Sequence, residues 1–244
     1  PNDLNTSNAD NVSRLALIYP DETATLISTR WLAMHGDTGN QFHMMGCQLS
    51  GIRLMWPLDG SGIAKATWTY RIAIWDRSAT TFPSALTLQD NNGHVPGGGS
   101  FYLQDFATKT RTTETPASME LNIDLGLEPV MGPGGNHQDQ VVTAWTRTGA
   151  RASITFAIPM ETSLETWWET ANQSLTYKHL LFNSSPVGGY RTGFYLPRIF
   201  PVGDNPIVPI NVNEQTYIRV TCQATESTDT ATALTRSAWR LFMG

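Results

Sequence analysis

Charge is scarce in this chain. Asp, Glu, Lys and Arg make up 15% of its 244 residues, against roughly a quarter in an average soluble domain. Ser, Thr, Asn and Gln fill much of the gap. That composition suits a surface covered by neighbouring subunits, and it suits an extracellular β protein about as well. The formal net charge is −5, so the basic footprint of a dedicated nucleic-acid binder is missing. Cysteine is scarcer still. Cys47 and Cys222 each sit among apolar neighbours in segments of strand character, and they read as two buried small hydrophobes rather than a disulfide. No apolar run approaches the ~18 residues needed to cross a bilayer as a helix. No charged start followed by an apolar stretch marks a secretory leader. A soluble chain made in the cytoplasm, with no membrane partner, is the expectation. Asn-x-Ser triplets begin at Asn5, Asn11, Asn172 and Asn183, and chance accounts for them in a chain so rich in Asn, Ser and Thr.

Catalytic signatures are missing as well. There is no G-x-S-x-G elbow, no phosphate-binding Walker loop, no G-x-G-x-x-G between strand and helix, and no H-E-x-x-H. His35, Asp37 and His43 match no common zinc or iron spacing, and polar residues of this kind serve turns through local hydrogen bonds. His137 and Asp139 lie beside glycines with no nucleophile near them. Glu161, Glu165 and Glu169 recur at four-residue spacing, which a helix cap and a solvated face explain. The expectation is a non-enzyme with no metal and no cofactor.

What is present is period-two alternation. From Phe42 to Asp76 the chain reads as one long β-hairpin. Met45, Cys47 and Leu49 alternate on the outgoing strand, and the phase then changes to Ile52, Leu54 and Trp56. A change at Ser50-Gly51 is the mark of a β-bulge, in which one extra residue bends the strand and restores the apolar set to one face. The turn is Pro57-Leu58-Asp59-Gly60-Ser61-Gly62. The return strand places Ala64, Ala66, Trp68, Tyr70, Ile72 and Ile74 on one side and Lys65, Thr67, Thr69 and Arg71 on the other. A sheet with one apolar and one polar face borders a core on one side and water on the other.

The rest follows in order. Residues 1–13 are polar and read as an N-terminal arm, and 14–244 read as a single β domain. Arg14–Tyr19 and Ala24–Met34 are short strand candidates. Residues 77–118 hold few periodic apolar positions and the breaker Asn91 to Gly99, and read as an extended loop excursion toward another molecule, with one short strand near Phe101–Phe106. Met119–Leu125 alternates cleanly. Val141–Trp145 and Arg151–Ile158 resume strand character. Thr162-Ser163-Leu164-Glu165 matches a capping box. Leu164, Trp167, Trp168, Ala171 and Leu175 follow it at helical spacing, predicting one amphipathic helix packed on the sheet. Strands are expected over Leu175–Phe182, Tyr190–Ile199, Val208–Val212, Glu214–Ala224 and Ala231–Phe242, giving roughly ten to twelve strands around one helix.

This order of elements resembles a known family. Met45-Gly46-Cys47-Gln48-Leu49-Ser50-Gly51-Ile52-Arg53-Leu54 leads into a hairpin and a long excursion. A strand ending in Ala157-Ile158-Pro159 precedes a capped helix, and Gly189-Tyr190-Arg191-Thr192-Gly193-Phe194-Tyr195-Leu196-Pro197 precedes the closing strands. From about residue 40 onward the pattern is similar to the tail tube (major tail) proteins of long-tailed bacteriophages. The resemblance implies a mainly β fold, a β-sandwich or half-open barrel flanked by one α-helix, with a long inter-subunit loop and an N-terminal arm. It implies hexameric rings stacked into a hollow tail tube in the virion, contacts with other phage tail proteins, and transient, non-specific passage of DNA through the lumen.

Independent features agree. A bent hairpin with one polar face suits a wall beside a water-filled channel, and closing sheets around a ring removes exposed edges. The acidic balance keeps a conduit from holding DNA, since about 6 to 10 phosphate contacts create strong, salt-sensitive binding. Lys65, Thr67, Thr69 and Arg71 form the candidate lumen or inter-subunit face, and its two cations need either acidic neighbours or a contacting subunit. Two alternatives share the composition: a jelly-roll capsid subunit, and a secreted carbohydrate-binding β-sandwich. The latter needs an exposed aromatic platform, whereas Trp68, Trp167 and Trp168 sit in apolar stripes that predict packing.

Overall fold

The computed structural model describes residues 2–4, 15–18, 29–34, 41–57, 64–78, 99–105, 111–132, 141–159, 167, 176–184, 192–203, 207–212, 215–227 and 237–243. These residues form seventeen strands: β1 Asn2–Leu4, β2 Leu15–Ile18, β3 Thr29–Met34, β4 Gln41–Pro57, β5 Lys65–Arg71, β6 Ile74–Ser78, β7 Gly99–Asp105, β8 Arg111–Glu114, β9 Ser118–Asp124, β10 Leu127–Gly132, β11 Val141–Arg147, β12 Arg151–Pro159, β13 Lys178–Ser184, β14 Thr192–Pro201, β15 Ile207–Val212, β16 Gln215–Ala224 and β17 Arg240–Met243. Fifteen belong to one continuous sheet, while β10 and β11 form a separate pair. The chain is mainly β, as its alternation predicts.

Two runs hold twelve of the fifteen strands of the large sheet, with β1 beside β2, and β3 and β6 paired to the N-terminal half of β4. One is ordered β5-β4-β9-β12-β16-β15, and the other β2-β17-β14-β13-β7-β8. They join where Ile199–Pro201 of β14 pair with Ala224–Cys222 of β16. Apolar contacts cross from one run to the other. The Trp56 ring lies 5.5 Å from Phe182 and 5.3 Å from Phe194, and Phe101 lies 5.2 Å from Phe156. Ile154, Leu121, Leu180, Leu196, Val220 and their neighbours are fully buried between them. Each follows from alternation: in β9 and β12 every second side chain is apolar and points inward.

The bulge lies where the phase change places it. The β4–β5 ladder shifts between Leu49 and Gly51, leaving Ser50 without an opposite residue. Its hydroxyl donates to the Thr69 carbonyl at 3.1 Å, so the extra residue is tied across the ladder. Gly51 lets β9 lie close beside the bulge, because a side chain there would stand 3.3 Å from the Ile123 carbonyl.

Several expectations need correction. The return strand is not continuous: it breaks at Ile72-Ala73, so β5 pairs with residues 48–55 of β4 and β6 with residues 41–45. Gly46, with φ of 63°, carries the matching bend in β4. The apolar side of the return segment is only partly covered: Trp68 of β5 is 42%, Ile72 after it 41% and Ile74 of β6 51% exposed, and β5 lies at the end of its run. Trp68 is therefore only partly packed, where full packing is predicted. The excursion assigned to 77–118 is too broad as well. β7 lies inside the second run against β13, with Phe101 and Leu103 buried, and β8 pairs beside it. Local composition there is rich in breakers, but long-range pairing with β13 outweighs it. At the other end, Asn2–Leu4 of the expected arm pairs with β2.

The helix expected over 162–175 lies outside the described residues except for Trp167. That residue is buried and donates from its indole nitrogen to the Thr176 carbonyl at 3.1 Å. Trp168, His35, Asp37, His137, Asp139, Glu161, Glu165 and Glu169 also lie outside the described residues. Cys47 and Cys222 are buried and unbridged, as their neighbours imply.

A polar sheet face as the candidate functional site

Register decides which polar residues meet. On the outer face of the first run, Thr67, Arg53, Asn122, Ser153 and Gln223 form one row across β5, β4, β9, β12 and β16. A second row places Lys65, Met55, Glu120, Thr155 and Thr221 side by side, and a third places Thr69, Gly51, Asp124 and Arg151. Arg71 continues the polar phase of β5, and Arg219 that of β16. Lys65, Thr67, Thr69 and Arg71 are all exposed on this face. The sequence brings these four together by alternation alone. It does not show that Arg53, Glu120, Asn122, Arg151 and Arg219 share the surface, since that depends on pairing between distant segments.

One ion pair organises the centre. The Arg53 guanidinium donates to both Glu120 oxygens, Nε to Oε1 at 2.9 Å and Nη2 to Oε2 at 2.8 Å. This bidentate geometry is the strong form of the interaction. The Asn122 amide donates to Glu120 Oε1 at 2.8 Å. Hydrogen bonding from Arg53 holds the Glu120 carboxyl below its usual range against the opposing effect of partial burial, and Asn122 adds to the lowering. Asp124 is spent locally, its Oδ1 accepting from the Gly126 amide at 2.9 Å. Across the way, the Thr155 and Thr221 hydroxyls meet at 3.3 Å. Gly51 opens a shallow concavity of about 540 Å³ between Arg53, Thr67, Thr69, Asn122 and Arg151.

No protein-family model matches the chain, and no curated protein is significantly similar to it. Chemistry must therefore be argued from the side chains. Among the described residues, five cations (Arg53, Lys65, Arg71, Arg151 and Arg219) share this face with two carboxylates, Glu120 and Asp124, in a protein of formal net charge −5. Among the described residues no group of three or more His, Cys, Asp or Glu side chains is placed to hold a metal ion. The face offers hydroxyls, amides and fixed charges. Such a set is able to make broad, hydrated contacts with another surface.

Proposed function

We propose that the chain is a structural subunit that assembles with copies of itself into stacked rings, forming the hollow tail tube through which a phage passes its DNA. In this proposal the fold is a β-sandwich or half-open barrel with a flanking helix. The aromatic contacts between the two strand runs support the layered arrangement. The observation that carries the assembly is the condition of β5. One side of this strand borders a wide polar face, the other exposes Trp68, and among the described residues β5 pairs with β4 alone. Monomeric proteins blunt or cover such an edge; β5 carries the charges of Lys65 and Arg71 but neither proline nor a bulge of its own. A neighbouring copy would supply what the margin lacks.

Charge bears on the role of the polar face around Lys65, Thr67, Thr69 and Arg71. Repeated around a ring, five cations against two carboxylates per copy would grip phosphates rather than let them slide. A subunit of net negative charge is the better partner. This favours an inter-subunit contact over a bare lumen for this face. Other tail proteins would meet the tube at its ends, and its place would be the virion.

Negative-stain microscopy of purified protein over a concentration series tests the proposal. Rings or tubes of uniform diameter are expected. Closed shells would instead indicate a capsid subunit. A persistent monomer with clear hits on a glycan array would indicate a carbohydrate-binding domain that uses the exposed Trp68.

A further inference from the structure

The concavity beside Gly51 is lined by groups whose hydrogen-bonding capacity is largely unspent. Two guanidinia, Arg53 and Arg151, and one carboxylate, Asp124, stand around it. Arg53 serves Glu120 through Nε and Nη2, and Asp124 Oδ1 accepts from the Gly126 amide. Arg151 is different. It lies opposite Asp124 in the β12–β9 ladder, is exposed, and forms no ion pair among the described residues. The hydroxyls of Thr67, Thr69 and Ser153 and the Gln223 amide line the same hollow of about 540 Å³, and among the described residues their side chains make no hydrogen bond. A guanidinium meets a planar oxyanion with two parallel hydrogen bonds. A forked cation ringed by free donors suits such a group.

Charge names the occupant. Among the described residues this face holds five of the chain's 16 basic residues and two of its 21 acidic ones, and both acids are already engaged. Eleven bases against nineteen acids are left for the rest of the chain. Acidic side chains are almost never fully buried, so this remainder presents carboxylates at its surface, as exposed Glu128 and Glu226 do outside the rows of the face. Same face against same face sets like charges together, which selects against that pairing. Face against remainder joins opposite charges. A nucleic acid fits less well, because the acidic remainder repels a polyanion over roughly 8–10 Å at physiological ionic strength.

Resting on the self-assembly proposed above, we infer that the concavity beside Gly51 seats a carboxylate side chain from the acidic surface of a second copy, with Arg151 as its anchor. The contact is heterologous. Each copy gives a carboxylate from one surface and receives one on another, so the series closes into a ring or runs on as a filament.

Variants at the anchor test this. Arg151→Glu should weaken association roughly tenfold or more by sedimentation velocity. Arg151→Lys keeps the charge and loses the fork, so it should fall between the unmodified protein and Arg151→Gln. If Arg151→Glu folds poorly by circular dichroism, Thr67→Val with Thr69→Val replaces it and should weaken association as well. Arg151→Lys also serves as a probe, because a zero-length carbodiimide joins its amine to a carboxylate in contact with it. In an equal mixture of light and heavy nitrogen-labelled copies, the expected product is a mixed-isotope peptide pair joining position 151 of one copy to an Asp or Glu of another.

If unmodified protein forms rings and Arg151→Glu forms them equally well, the inference falls and the ring proposal stands. A carbodiimide link from position 151 to Asp124 of its own copy, and to nothing else, likewise overturns the seat. So does tight binding of a DNA oligonucleotide that Arg151→Glu abolishes, since phosphate would then be the occupant. Unmodified protein that remains monomeric throughout overturns both.

Discussion

Glu120 sits where the β4–β9 register has gathered its partners. Arg53 opposes it from β4 and Asn122 lies two residues along its own strand. Asn122 is a near neighbour in the amino-acid order, but Arg53 is not: Arg53 and Glu120 stand 67 residues apart. Because the folded carboxyl is held below its ordinary value of 4.5, its contribution to stability is fully present above that value. It is lost as pH falls through the lower folded value. The urea midpoint of the unmodified protein should thus drop more between about pH 5 and about pH 3 than that of Glu120→Gln. Parallel pH profiles would show that the pair contributes nothing. The cysteines, by contrast, were legible from their neighbours alone. Both are buried, and burial pushes the Cys222 thiol far up, away from the reactive thiolate form.

At the scale of elements, β9 and β12 were plain in the sequence because each is buried on one face and alternates accordingly. β7 was only half visible. Its two buried side chains, Phe101 and Leu103, give a short alternation amid glycine, asparagine and threonine, and its place between β8 and β13 comes from pairing with residues about 80 positions away. The same contrast separates two aromatic residues. Phe182 of β13 is fully buried against Trp56 and Phe194, so Phe182→Ala should cost about 3–5 kcal/mol in chemical denaturation. Trp68→Ser, at a position 42% exposed, should cost clearly less, about 1–2 kcal/mol. A large loss at Trp68 would mean that the β5 edge is covered within the subunit, and the argument for a neighbouring copy would fail.

For the whole molecule, the decisive property is the mismatch between charge overall and charge on one surface. A chain of net charge −5 turns outward a face that, among the described residues, carries five cations and two carboxylates. If that face meets another copy, raising salt from about 50 to about 200 mM should weaken assembly, since exposed charges are screened over roughly 8–10 Å at physiological ionic strength. Sedimentation across that range gives the answer. Association that is unchanged or strengthened by salt would point to an apolar contact alone, leaving the polar face without a part in it.

The amino-acid order by itself determined the β class, the bulge at Ser50 and the two buried thiols. Each depends on the alternation of side chains along an extended backbone, a property that needs only near neighbours. Tertiary structure alone decided which strand became an edge, which polar residues shared a row, that Trp68 faces water, and that β10 and β11 leave the sheet as an arm. Those outcomes depend on register between segments far apart in the chain, and a two-residue period is the same whatever strand lies alongside.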